Sequence, residues 1–114
     1  YALQFQGVPY VWGGYSPSGF DCSGFVSYCL TNSGVLNTGH LDCNGLLARM
    51  TVIPESEMQP GDIIFFQGTY ATSGASHVGI YIGNGQMVHS GNPNKISDIY
   101  SSYFQQHWMC VARW

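Results

Sequence analysis

The segment FDCSGFVSYCL, residues 20–30, holds two of the chain's four cysteines in unlike company. Cys22 is flanked by Asp21 and by the small residues Ser23 and Gly24, whereas Cys29 lies among Val26, Tyr28 and Leu30. A thiol attacks only as the thiolate, and it ionises most readily where unpaired helix N–H groups and the helix dipole favour negative charge. Apolar positions 22, 25, 26, 29 and 30 form the stripe of an amphipathic helix. Asp21 suits its N-cap and Gly34 its C-terminal stop, so Cys22 falls in the first turn. The small neighbours leave room for a substrate carbonyl, and the N–H groups of that turn can hold an oxyanion. Cys29, two turns on, reads as structural. The competing reading makes Cys22 a core residue too, because cysteine is among the most buried types and this one lies on the apolar stripe.

A nucleophilic thiol needs a base, and a third polar group to orient that base. Four histidines are available. His77 opens the strand-like HVGIYIG and His89 lies in the return strand after Gly83-Asn84-Gly85. Register decides whether these two can cooperate, because side chains alternate along a strand. A two-residue turn would set His89 opposite Ile80 and separate the histidines on opposite faces. A three-residue loop would pair Ile82 with Gln86 and His89 with Gly79, with both imidazoles on one face and Val78, Ile80, Ile82 and Val88 on the other. The second arrangement is expected. His40 and Cys43 form an HxxC pair, a weak zinc signal without a second close pair. His107, beside Trp108, reads as a surface histidine.

The elements that must carry these residues follow from the pattern. Tyr1–Phe5 resembles a helix end, 7–19 a loop rich in glycine and proline, and Asn44–Met50 a second short helix. A strand is expected at 62–66, a third helix over Ser97–Gln105 and a closing strand at WMCVAR. Helices first and neighbouring strands later indicate an α+β fold with an antiparallel sheet. At 114 residues the chain is expected to be one domain. Only 8% of residues are charged, against roughly 25% in an average soluble domain. A net charge of −3 with three basic residues, Arg49, Lys95 and Arg113, argues against nucleic acid or an anionic membrane as partner. The opening at Tyr1, with neither initiator methionine nor signal peptide, reads as an excised or processed domain. The cysteine spacing matches no dense disulfide framework.

The blocks PYVWGG (9–14), DCSGFV (21–26), MQPGDIIFF (58–66), SHVGIYIGNGQMVHS (76–90) and the final VAR together resemble the NlpC-type cell-wall peptidases. The resemblance spans nearly the whole chain. It implies a papain-like cysteine hydrolase with Cys22 as nucleophile, His77 as general base and His89 as the residue orienting it. It further implies that Tyr10 helps the oxyanion site. Asp21, Ser23 and Ser76 would line the pocket for the amino end of a peptidoglycan stem peptide. The expected reaction is cleavage of the D-γ-glutamyl bond to meso-diaminopimelate or L-Lys, by a secreted, monomeric enzyme of the cell wall with no metal or organic cofactor. The same Cys-His set serves muramoyl–L-Ala amidases and acyl transferases, and a wall-binding module with a dead site is the rival from another class. Cys29, Cys43 and Cys110 belong to no motif of the resemblance, and 35–57 is expected to form a specificity wall.

Overall fold

The apolar stripe after Asp21 becomes helix α1 (Cys22–Asn32), and the chain around it builds an α+β fold in which helices precede an antiparallel sheet. The computed structural model describes residues 1–70, 73–91 and 93–114. Before α1 lies a small hairpin, β1 (Tyr15–Ser16) and β2 (Gly19–Phe20). After it come α2 (Cys43–Ala48), β3 (Thr51–Ile53), β4 (Ile63–Gln67), β5 (Ala75–Gly83), β6 (Gln86–His89), β7 (Lys95–Asp98), α3 (Ser102–Gln106) and β8 (Trp108–Arg113). The main sheet runs β3-β8-β4-β5-β6-β7 with every adjacent pair antiparallel.

β4 is paired on both edges, and its run Ile63, Ile64, Phe65 and Phe66 is fully buried because both sheet faces are covered. Ile63 and Phe65 join Phe25 and Val26 of α1 and Leu46 of α2 in one core. Ile64 and Phe66 meet Ile99, Phe104 and Trp108 on the other face. Each such side chain contributes about 1.5–3 kcal/mol by leaving water. No helix among the described residues is long and apolar enough to cross a membrane.

Several expectations are corrected. The third helix does not begin at Ser97: Lys95–Asp98 is an edge strand on β6, with Ser97 opposite Met87 and Lys95 opposite His89, and the helix waits until Ser102. Backbone pairing to β6 outweighs the weak helical period of that stretch. The second helix starts one residue early, at Cys43, because Asp42 accepts from the Gly45 N–H at 2.7 Å and caps it. The opening residues form a 3-10 turn, Ala2–Phe5, and the loop 7–19 contains the β1 strand and the first residue of β2.

The hairpin of β5 and β6 reaches the expected outcome by another route. Its turn has two residues, Asn84-Gly85, both left-handed at φ 55° and 73°, with Gly83 opposite Gln86. Yet His89 lies opposite Gly79, because the register shifts between Tyr81 and Gly83. Ile82 is an extra residue on β5, a bulge where a longer loop was expected. That single residue keeps His77 and His89 on one face.

Candidate active site

The start of α1 is held by Asp21, whose carboxylate bonds in two directions. Its Oδ1 accepts from the Gly24 N–H at 2.6 Å and its Oδ2 from the Gly13 N–H at 3.0 Å. The Asp21 N–H in turn donates to the Gly14 carbonyl at 3.1 Å, and the Gly14 backbone lies so close to Gly24 that no Cβ fits there. The 9–14 loop is thereby clamped to the helix, which sets Tyr10 in the same cleft as Cys22. Cys22 occupies the first helical position and is 9% exposed.

β5 and β6 supply the imidazoles. His77 Nε2 lies 2.8 Å from His89 Nδ1, and His89 Nε2 lies 2.8 Å from Ser97 Oγ on β7. With Nε2 so engaged, Nδ1 is the His77 nitrogen left for the Cys22 thiol. The Phe104 ring packs against both imidazoles and shields their contact. Burial lowers the His89 pKa to about 3, reinforced by positive charge at His77 and Lys95, so His89 is neutral.

The Cys22 thiol is held below its ordinary range. The largest cause is a hydrogen bond from Cys43, whose Sγ lies 3.7 Å away; burial opposes it, and the His77 hydrogen bond and charge add to the lowering. The two remaining cysteines stay protonated: burial pushes Cys29 up to about 12 and raises Cys110. All four thiols are free. Burial, then the negative charges at Cys22 and Asp21, push the Tyr10 phenol up to about 12, so its hydroxyl remains a donor.

Two cavities flank this line of groups. One, of about 190 Å³, is lined by Tyr10, Trp12, Asp21, Cys22, Asp42 and Cys43 among others, and gathers two of the chain's six carboxylates. The other, of about 350 Å³, opens beside His77 and His89 and is lined by Thr69, Lys95, Ser97, Tyr103 and Phe104. A larger apolar cavity of about 380 Å³ near Tyr1, Leu3 and Trp114 contains neither Cys22 nor a histidine. Chemistry, not volume, locates the site.

The structure thus brings Cys22, His77, His89, Tyr10, Asp21 and Ser23 together. Ser76 enters differently from its expected pocket position. Its carbonyl lies 3.7 Å from Cys22 Sγ, while its hydroxyl bonds the Thr69 hydroxyl at 2.6 Å and accepts from the Thr69 N–H. The 35–57 stretch contributes a wall through Asp42, Cys43 and Asn44. His40 stacks on Tyr15 with ring centres 4.5 Å apart, and His107 Nδ1 lies 2.9 Å from the Gln67 carbonyl. No cluster of three or more His, Cys, Asp or Glu groups is placed to hold a metal ion among the described residues. Sequence reasoning missed Ser97, hidden in a segment read as helix, and Cys43. A signal for Cys43 existed, since Asp42-Cys43-Asn44-Gly45 repeats the pattern Asp21-Cys22-Ser23-Gly24.

The sequence and the fold both have relatives among known proteins. The chain is 39% identical over 115 residues to the bifunctional muramidase/DL-endopeptidase CwlT of Bacillus subtilis, covering 98% of this chain and 34% of that protein. It is 45% identical over 113 residues to the probable endopeptidase p60 of Listeria seeligeri, covering 98% of this chain and 21% of that protein. The crystal structure of a lipoprotein-like NLP/P60-family protein from Staphylococcus aureus Mu50 superposes with a TM-score of 0.91 at 34% identity, covering 98% of this chain and 38% of that one. This chain therefore spans well under half the length of each of these relatives. The model of the NlpC/P60 family matches residues 7–113, and with the fold and these likenesses in agreement, the chain belongs to that family.

Proposed function

We propose that this chain is a cysteine endopeptidase domain that cleaves peptidoglycan stem peptides at the D-γ-glutamyl bond to the diamino acid. The observation that carries the reading is the hydrogen-bonded series His77, His89 and Ser97 beside the Cys22 thiol, which lies at the start of an 11-residue helix and is depressed in pKa. His77 Nδ1 takes the Cys22 proton, and the thiolate attacks the γ-carbonyl of D-Glu. Asp21 occupies the Gly24 N–H with its side chain and the Phe25 N–H with its carbonyl, which leaves the Cys22 and Ser23 N–H groups for the oxyanion. The Tyr10 hydroxyl adds a third donor. As the tetrahedral species collapses, His77 returns its proton to the leaving amine. Water, deprotonated by His77, then hydrolyses the thioester and frees Cys22. His89, neutral, holds the His77 ring in the tautomer that leaves Nδ1 as base.

Asp21 and Asp42 give the smaller cavity an acidic lining suited to the free ammonium of L-Ala, with Trp12 and Tyr70 forming its rim at a ring separation of 5.8 Å. The larger cavity beside the histidines would take the diamino acid. The domain is read as a secreted monomer acting in the cell wall without metal or organic cofactor. An amidase or acyl transferase would use the same thiol on another acyl group. A binding module without activity is disfavoured by a thiol of lowered pKa beside a hydrogen-bonded pair of imidazoles.

Defined muropeptides carrying meso-diaminopimelate or L-Lys test the reading, with new termini identified by mass spectrometry. A new D-Glu γ-carboxylate and a free diamino acid amine are expected, at rates abolished by Cys22→Ala with little change in the thermal melt. His77→Ala should be almost as severe. Release of intact stem peptide from muramic acid would instead make the domain an amidase.

A further inference from the structure

The echo of Asp21-Cys-Ser-Gly24 in Asp42-Cys-Asn-Gly45 is structural as well as sequential. In each, the aspartate accepts from the glycine N–H three residues on, at 2.6 and 2.7 Å, and the cysteine takes the first helical position. The two cysteines face each other with sulfurs 3.7 Å apart, and both line the smaller cavity. Cys43 is 6% exposed, and among the described residues its thiol has one hydrogen-bonding partner, the Cys22 sulfur. Its position is tied to the strand that carries His77: Asn44 Oδ1 accepts from the Ala75 N–H at 2.9 Å, and Asn44 Nδ2 donates to the Ser73 carbonyl at 3.4 Å.

We propose that Cys43 is a further catalytic residue, whose S–H donates a hydrogen bond to the Cys22 thiolate and holds the nucleophile charged and oriented for attack. This rests on the reading of Cys22 as nucleophile. Two touching sulfurs in a partly buried site share one negative charge, since a second ionisation would set two anions in contact. The groups around the pair decide which sulfur carries it. His77 on β5 faces Cys22, whereas Asp42 immediately precedes Cys43, Asp21 precedes Cys22, and the Tyr10 and Tyr70 phenols border the same cavity. The imidazole therefore draws the charge to Cys22. Cys43 keeps its proton because its hydrogen bond to Cys22, burial and the surrounding negative charge all raise its pKa. When the thioester forms, the Cys22 sulfur loses its charge and the donated bond weakens. When the thioester is hydrolysed, the bond is recovered as the thiolate leaves. Cys43 thus raises the fraction of Cys22 present as thiolate and favours its departure from the thioester, and its proton never transfers.

The test reads the thiols themselves and needs no peptidoglycan. Iodoacetamide labelling of the Cys22 peptide, followed by mass spectrometry across pH, gives the apparent pKa of that thiol. Cys43→Ala should shift the profile upward by about one unit, the size expected for a lost hydrogen bond to a charged group. Cys43→Ser, which keeps a donor in place, should recover most of the shift. A second measurement covers the case in which the alanine variant fails to fold. In Cys22→Ala, the labelling profile of Cys43 should move downward, because the neighbouring anion is gone. An unchanged Cys22 profile in Cys43→Ala, or an unchanged Cys43 profile in Cys22→Ala, would reduce Cys43 to a packing residue. Loss of stem-peptide cleavage as the domain's reaction would leave these labelling outcomes untouched, so the two readings fail separately.

Discussion

His89 is 3% exposed and sits between His77 Nε2 and Ser97 Oγ, so its protonation state governs both neighbours. A neutral imidazole has one donor and one acceptor. If Nδ1 accepts from His77, Nε2–H must donate to Ser97. With its pKa lowered to about 3 in the fold, against about 6.5 in the unfolded chain, His89 binds a proton in the unfolded state and not in the native one between those values. Stability therefore rises with pH across that window and is lost as pH falls. Urea unfolding should show the protein about 2 kcal/mol less stable at pH 5 than above pH 7 from this residue. His89→Asn should flatten that slope while keeping measurable peptidase activity, since its amide still accepts from His77. A slope unchanged in the variant would place the pH dependence elsewhere. At this scale Cys22, His77 and His89 were legible as candidates because thiol and imidazole chemistry belongs to the residue type. Ser97 was not, since a serine acquires a role only from what stands beside it.

The hairpin of β5 and β6 shows what an element adds to its residues. Asn84-Gly85 announces a two-residue turn, and that turn forms. The bulge at Ile82 then restores the register that the turn alone would have spoiled. Two glycines of this hairpin separate position from stability. A Cβ at Gly79 would stand 3.3 Å from His89 Cβ and 2.5 Å from Met87 Sδ. Gly79→Ala should leave a folded protein whose activity falls about 10- to 100-fold through displacement of His89. Gly85, at φ 73°, has its missing Cβ facing the Tyr100 ring at 2.9 Å. Gly85→Ala should cost about 1–2 kcal/mol in thermal or urea unfolding and leave kcat per folded molecule unchanged. The reverse pattern would mean that the hairpin does not place the histidines as described. Periodicity revealed both strands, but a bulge leaves no periodic signature, and the end of edge strand β7 from Ser97 was read as helix because its pairing partner lies elsewhere in the chain.

Across the whole molecule, Arg113 at the end of β8 closes the sheet onto the turn before β4. Its Nε and Nη2 each lie 2.8 Å from an Asp62 oxygen, and Nη2 also donates to the Glu57 carbonyl. Burial disfavours the Asp62 charge, yet the Arg113 hydrogen bond and the Gln59 N–H outweigh it and hold the carboxyl below its usual range. A depressed carboxyl stabilises the fold above its unfolded pKa and loses that contribution as pH falls through the folded one. Asp62→Asn should therefore lower the melting temperature at pH 7, with the difference shrinking below about pH 4. A pH-independent difference would point to lost packing in place of lost charge. Electrostatics also polarise the cleft, with Asp21 and Asp42 at the end beside Cys22 and Lys95 at the end beside His89. Stem peptides whose diamino acid retains a side-chain carboxylate should be cut faster than their amidated or L-Lys counterparts, and Lys95→Gln should level the rates. Equal wild-type rates on all three would remove Lys95 from substrate selection.

The sequence by itself determined the place of Cys22 at a helix start, the class of fold and the strands that carry His77 and His89. Those features rest on local rules: an N-cap before a helical stripe, alternation along strands, and the reactivity of residue types. Tertiary structure alone decided that Cys43 touches Cys22, that Ser97 completes the histidine line, and that Ser76 offers its carbonyl while its hydroxyl serves Thr69. Each of these depends on contacts between elements distant in the chain. Such contacts arise from packing and sheet register, which no local pattern encodes.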